Sequence, residues 1–140
     1  MNARGGGRKA RGQSAVEFAL AISVFILVAF AAMQLAYAVY SYNMVCAAAR
    51  EGVRYAIVHY SADSSVQASL DAEILQAAIA AAPGLRLQPD DVALSWIPDP
   101  QLPSQTDARV VVTYGYNLPI PFMAPITLTL SSASQMLVSN

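Results

Sequence analysis

Between Glu17 and Arg50 the chain carries no charged residue, no proline and no glycine. This run, residues 18–49, is longer than the ~20 apolar residues that cross a hydrocarbon core. Ala, Leu, Val, Ile and Met dominate it, and from Ala15 to Tyr60 the only helix-weakening residue is Gly52. One long helix is therefore expected, reaching ~58 Å from Phe18 to Ala56 at 1.5 Å per residue, nearly twice the hydrocarbon thickness. Its first part is expected in lipid up to about residue 40. There Tyr37, Tyr40 and Tyr42 would form an interfacial aromatic belt. Beyond them Ser41 and Asn43 are polar, Ala47, Ala48 and Ala49 are small, and Arg50, Glu51 and Arg54 are charged. That second part reads as an extramembrane helix whose small side chains let other elements approach.

What precedes the run is as informative as the run. Arg4, Arg8, Lys9 and Arg11 are half of the eight basic residues, and all lie ahead of Gly12. The remainder holds four basic residues against all nine acidic ones, which argues against a nucleic-acid partner because no basic patch is left to neutralise phosphates. Residues 1–12, Gly-rich and poor in apolar side chains, are expected not to fold. A basic cluster on one side of a span favours the cytoplasm, so the N-terminus is expected inside and residues 61–140 outside. Glu17 stands at the mouth of the apolar segment. A carboxylate costs up to ~3 kcal/mol near the bilayer centre and less towards the interface.

After the long helix, Ser61, Asp63, Ser64 and Ser65 are cap and turn residues. Residues 66–82 read as a second helix, with Leu70, Ile74, Ala77 and Ala78 on one face, ended by Pro83-Gly84. Period-two alternation follows. Val92, Leu94 and Trp96 mark one strand, Val110, Val112, Tyr114 and Tyr116 a second, and Leu128 and Leu130 a third. A Pro-rich loop (98–107) and an apolar Pro-rich link (117–125) separate them. The fold class is α+β: a long transmembrane helix continuing into a small domain with a second helix and a three-stranded antiparallel sheet. The expected division is a leader (1–12), the long helix (13–60) and the extracytoplasmic domain (61–140). A three-stranded sheet needs one face covered, and the second helix and the outer part of the first can cover it.

Residues that commonly carry chemistry are scarce. His59 is the single histidine and Cys46 the single cysteine, so no internal disulfide or cysteine-based metal framework is possible. His59 near a helix end is most simply favoured by the helix dipole or solvated. No nucleophile motif, phosphate loop or metal-ligand spacing occurs. Asp90-Asp91 reads as a turn before a strand, and Glu51 with Arg54 as a surface pair worth a few tenths of a kcal/mol. The chain is not expected to be an enzyme, and neither cofactor nor metal is implied.

The leader is the exception. Its basic residues, then Arg11-Gly12-Gln13-Ser14-Ala15-Val16-Glu17-Phe18-Ala19-Leu20 opening the apolar helix, resemble the processing site of type IV-like prepilins. With Ala48-Ala49-Arg50-Glu51-Gly52-Val53-Arg54-Tyr55-Ala56 beyond the span, the body resembles the TadE-like pseudopilins of the Tad/Flp (tight adherence, type IVc) pilus system. The resemblance covers most of residues 11–60, and the remainder in outline. Major Flp pilins usually carry Tyr where Phe18 stands and are much shorter than this chain, whereas TadG-like proteins are usually much longer, which argues for a minor component. The resemblance implies that a prepilin peptidase cuts between Gly12 and Gln13, that Glu17 and Phe18 serve assembly or recognition, and that Arg50, Glu51 and Arg54 belong to a helix signature. It also implies as partners that peptidase, other minor pilins, the major Flp pilin, the inner-membrane assembly platform and the lipid bilayer, at the cytoplasmic membrane or in the pilus. Gly12 suits a peptidase because a residue without Cβ leaves the backbone unhindered and lets it extend. As a simple leader residue it would sit equally well beside Gly5, Gly6 and Gly7.

Three readings stand at this level. One is a minor pilin or pseudopilin acting in pilus biogenesis or initiation, and through it in adhesion, surface attachment or secretion. Another is a secreted protein cut after Ala36-Tyr37-Ala38, although a secretory h-region runs ~7–15 residues and does not open on a carboxylate. The third is a signal-anchored binding domain with the apolar link as its docking surface. The N-terminus in the membrane fraction distinguishes them: Gln13, Val39 or an uncut leader.

Overall fold

The computed structural model describes residues 6–61, 64–98, 106–119 and 124–138, with side chains described from residue 12 onward except at 64 and 65. Five main elements follow in order: α1 (Gly6–His59), α2 (Ser64–Ala80), β1 (Val92–Pro98), β2 (Thr106–Leu118) and β3 (Ile126–Val138), with a 3-10 turn at Pro89–Asp91 before β1. The architecture is α+β, with the strands in the antiparallel order β1-β2-β3. The turn residue Asp63, the Pro-rich loop at 99–105 and the centre of the apolar link at 120–123 lie outside the described residues, as do residues 1–5 of the leader.

One expectation is corrected. Residues 6–12 do not remain outside the fold, because α1 already begins at Gly6. Extending a helix fixes one residue for each hydrogen bond gained, whereas starting one fixes three residues for the first bond. The long apolar segment nucleates α1, and with no proline in its way the helix propagates back through the basic residues.

Two compact units divide the chain, Met1–Tyr37 and Ala38–Asn140. The second takes in the end of α1 rather than starting after it, because that end supplies core. Val45, Ala48, Ala49, Val53 and Ala56 recur at three- and four-residue spacing and are fully buried. They join Ile74, Ala78 and Ala82 of α2 and its exit, Leu85 and Leu87 of the connection, Val92 of β1, and Ala108, Val110 and Val112 of β2. Gly52 lies where α1 meets Ala78 of α2 and Val110 of β2. A Cβ there would lie 3.0 Å from the Ala78 Cβ and 3.1 Å from a Val110 methyl, tighter than ordinary contact, so a side chain would push α2 or β2 back by a few tenths of an ångström.

Helix α2 ends two residues before the point expected from its pattern. Pro83 has no N–H to donate and its ring crowds the carbonyl four residues back. The last turn tightens accordingly: the Ala82 N–H bonds to the Ile79 carbonyl at 3.1 Å, a 3-10 pairing. In the sheet, Val92 faces Val112, Leu94 faces Val110 and Trp96 faces Ala108. The inward set is the alternating one expected, and Trp96 is half-buried against the core. Strand β3 runs well past Ser131, pairing as far as Val138 with Thr106. Its serine-rich second half, Ser131-Ser132-Ala133-Ser134-Gln135, has no apolar alternation to announce it. The length of β2 draws it into the sheet.

Candidate functional site

The residues singled out from the sequence fall into two groups, one in each compact unit. In the first unit, Gly12, Gln13, Val16, Glu17 and Leu20 line one face of α1 around a shallow hollow. All are exposed, as is Phe18 on the adjoining face. Gly12 is helical, and a Cβ added to it would meet nothing within 4 Å. Its glycine is thus not required by packing. It weakens the helix by roughly 0.5–1 kcal/mol relative to Ala, which makes this turn one of the easiest to open. Glu17 lies one turn beyond Gln13 on the same face.

The apolar stretch after Glu17 shows why this unit cannot rest in water. Eleven large apolar side chains from Val16 to Leu35 are exposed, Phe25 by 70%. Moving such a side chain wholly out of water gains ~1.5–3 kcal/mol, so at their 42–70% exposure the eleven together represent on the order of 10–20 kcal/mol. That equals or exceeds the full stability of an ordinary domain. A helix of this length and composition fits a single-pass membrane anchor.

In the second unit, Arg50, Glu51 and Arg54 occupy the outer side of α1 while Gly52 and Val53 point to the core. Arg54 Nη1 lies 3.7 Å from Glu51 Oε2, a solvated pair. One turn further on, a polar cluster ties α1 to α2 and β1. The Tyr55 hydroxyl donates to Glu73 Oε2 at 3.1 Å. Trp96 Nε1–H donates to Asp71 Oδ1 at 3.1 Å, and Gln67 Nε2 donates to the same oxygen at 3.0 Å. The Gln67 carbonyl accepts the Ser61 N–H at 3.0 Å, closing the connection between the two helices. Tyr60 packs on Trp96 with ring centroids 5.3 Å apart.

His59 stacks on Tyr55 at 4.0 Å, with Nδ1 3.0 Å from the Tyr55 carbonyl oxygen, so Nδ1 carries the proton. The hydrogen bond to Glu73 raises the Tyr55 pKa above its ordinary value of 10.0, with desolvation and the Glu73 charge adding to the effect. A phenol held neutral in this way is the opposite of an activated base or nucleophile. The cluster fastens elements together. Among the described residues no group of three or more His, Cys, Asp or Glu side chains could hold a metal ion.

Sequence reasoning gave Gly52 and this cluster no role. Gly52 did carry a signal, as the lone glycine in an otherwise glycine-free helical stretch. The partners of Tyr55 and Trp96 carried none, since Glu73 and Asp71 are separated from them by 18 and 25 residues.

No curated protein and no solved structure matches the chain. A family model described as TadE-like protein does match, over residues 12–54. It begins at Gly12 and ends at Arg54, so it takes in both groups of singled-out residues, the exposed apolar stretch and most of the buried stripe of α1. Over residues 12–54 the chain is similar to that family, and this is the stretch whose leader and helix residues carry the resemblance to TadE-like pseudopilins.

Proposed function

We propose that this protein is a minor pilin or pseudopilin of a Tad/Flp-type pilus, acting in its biogenesis or initiation. A prepilin peptidase cuts between Gly12 and Gln13. The apolar part of α1 holds the product in the cytoplasmic membrane, with the basic leader inside and the packed domain outside. Its partners are other minor pilins, the major Flp pilin and the inner-membrane assembly platform. The carrying observation is that one unbroken helix joins a largely exposed apolar segment, headed by Glu17, to the buried stripe of a folded domain. That arrangement suits a subunit which leaves lipid for a bundle of like helices without unfolding its outer domain.

Glu17 is the residue on which assembly turns in this reading. After cleavage the new amine at Gln13 and the Glu17 carboxylate lie about one helical turn apart. The helix dipole favours the charge by roughly 0.3–1 kcal/mol, too little to offset burying it among packed helices. Pairing with the amine of a neighbouring subunit removes most of that penalty and disfavours wrong axial registers.

N-terminal sequencing of the membrane-bound protein tests the reading, with Gln13 expected as the first residue. Val39 or an intact leader would overturn it. Glu17→Leu should be cleaved and inserted normally, yet fail to cross-link to partner pilins. If it assembles like the wild type, the intersubunit pair is wrong even where Gln13 is found.

A further inference from the structure

The two edges of the sheet are built differently. Strand β1 has seven residues, follows Pro89-Asp90-Asp91, ends on Pro98, and has α2 packed against it through the Trp96–Asp71 hydrogen bond. Short length, proline, nearby charge and a covering helix are the devices that keep an edge from pairing with another chain. Strand β3 also follows a proline, Pro125, but it is nearly twice as long and, among the described residues, has no helix packed along it. It runs thirteen residues without a charge, a proline or a glycine, and its one neighbour in the sheet is β2. Its charge-free composition contrasts with β2, which carries Asp107 and Arg109. In an antiparallel ladder alternate residues direct their N–H and C=O away from the neighbour, so a full row of hydrogen-bonding groups lines the outer side of β3. Ile126, Leu128, Met136 and Leu137 on this strand are 41–47% exposed.

The geometry points to β3 as a self-pairing edge: two copies of the chain join β3 to β3 antiparallel, about a two-fold axis at Ser132, into one six-stranded sheet. The occupant follows from the strand's own side chains. Complete overlap of Ile126–Val138 with its copy places residue i opposite residue 264 − i. Leu128 then faces Met136, Ile126 faces Val138, and Ser132 faces itself. Two apolar pairs thus meet on one face, while Leu130 and Leu137 face Ser134 and Thr127, and no charge is desolvated on either side, whereas a strand bearing charges would have to strip them of water at this edge. The period of two keeps residues of equal parity on one face, so each copy's core face continues into its partner's. An isologous contact of this kind closes at two copies. The inference does not rest on the pilus reading and concerns a different surface from Glu17.

Disulfide trapping in the membrane-bound full chain tests it. In a Cys46→Ser background, Ser132→Cys places two thiols opposite each other at the cross-strand separation a disulfide spans. The expected result is a covalent dimer under mild oxidation, with little or none from Ser95→Cys on the β1 edge. A second arm uses Leu128→Lys with Met136→Lys, which sets ammonium groups against one another. The detergent-solubilised chain should then fall from dimer to monomer mass with Trp96 fluorescence unchanged. Three outcomes would overturn the proposal. Ser132→Cys could cross-link no better than Ser95→Cys, it could cross-link only to a different protein, or the dimer could survive the lysine pair, which would assign association to the apolar helix.

Discussion

Helix α1 contains two apolar stretches that meet opposite fates. From Val16 to Leu35 eleven large side chains are exposed, whereas from Val45 to Ala56 a narrow stripe of small ones is fully buried. The difference lies in the size and spacing of the apolar side chains and in the charges set among them. Phe25, Ile26, Leu27 and Val28 follow one another round the helix and cover every side of the first stretch, so no single face can be turned to a core. The second places Ala48, Ala49, Gly52, Val53 and Ala56 on one face and Arg50 and Arg54 on the other. Two packed elements can reach the helix axis closely there, and water can be kept on the far side. Lipid accepts an all-round apolar helix, while a small protein domain needs a one-sided one.

The same substitution in the two stretches should break the comparison most sharply. Val53→Asp buries an unpaired carboxylate in a fully buried site, at a cost of several kcal/mol. The domain should lose its cooperative thermal transition, followed by Trp96 fluorescence in detergent. Val28→Asp should leave that transition in place, because Val28 is exposed in the unit that ends at Tyr37. Its effect should appear in membrane insertion, by ~2.5–3.5 kcal/mol near the centre of a span. Equal melting of the two variants would show that the stretches do not differ as described.

Glycine sharpens the contrast at smaller amplitude. Gly52→Val forces methyl groups against Ala78 and Val110 and should cost about 1–3 kcal/mol. For a domain near 100 residues each kcal/mol lowers the melting temperature by roughly 4–8 °C. Gly12→Val meets no neighbour and should leave melting unchanged, while its electrophoretic mobility reports whether the leader is still removed. Within the packed stretch, Trp96→Phe deletes one donor to Asp71 and should cost about 0.5–1.5 kcal/mol. The loss is limited because Gln67 still donates to the same oxygen.

The smallest expected effect is a pH dependence. The Tyr55 pKa is raised in the folded state by its bond to Glu73. The folded chain therefore holds a proton that the unfolded chain releases first. Its contribution is complete below the unfolded value near 10.0 and is lost as pH rises through the higher folded value. Alkaline melting curves should show this slope in the wild type and less of it in Tyr55→Phe. An identical slope in both would assign the dependence to other groups.

Much of this architecture could be read without coordinates, since the strongest signals are periodic or simply long. The alternation at Val92, Leu94 and Trp96 announced its strand because one face is covered and the other is wet. The end of β3 was hidden, since Ser131 to Gln135 alternates nothing and takes its conformation from β2 across the ladder. The helical state of residues 6–12 was hidden for a related reason. Helix propagation borrows stability from the apolar segment that follows, and local composition does not report it.

The amino-acid order alone determined that a charge-free apolar run headed by Glu17 must find a non-aqueous environment, that a helix must form there, and that alternating strands must follow it. Burial free energy and backbone hydrogen bonding act on any chain of this pattern, whatever its partners. Only the tertiary structure decided where the domain begins within α1, why Gly52 interrupts the helix composition, and which edge of the sheet stays open. Those outcomes depend on distances between residues remote in sequence, such as the 3.0 Å from a Gly52 Cβ to Ala78 or the bond from Trp96 to Asp71. Close packing penalises misfits of a few tenths of an ångström, which no periodicity in the sequence encodes.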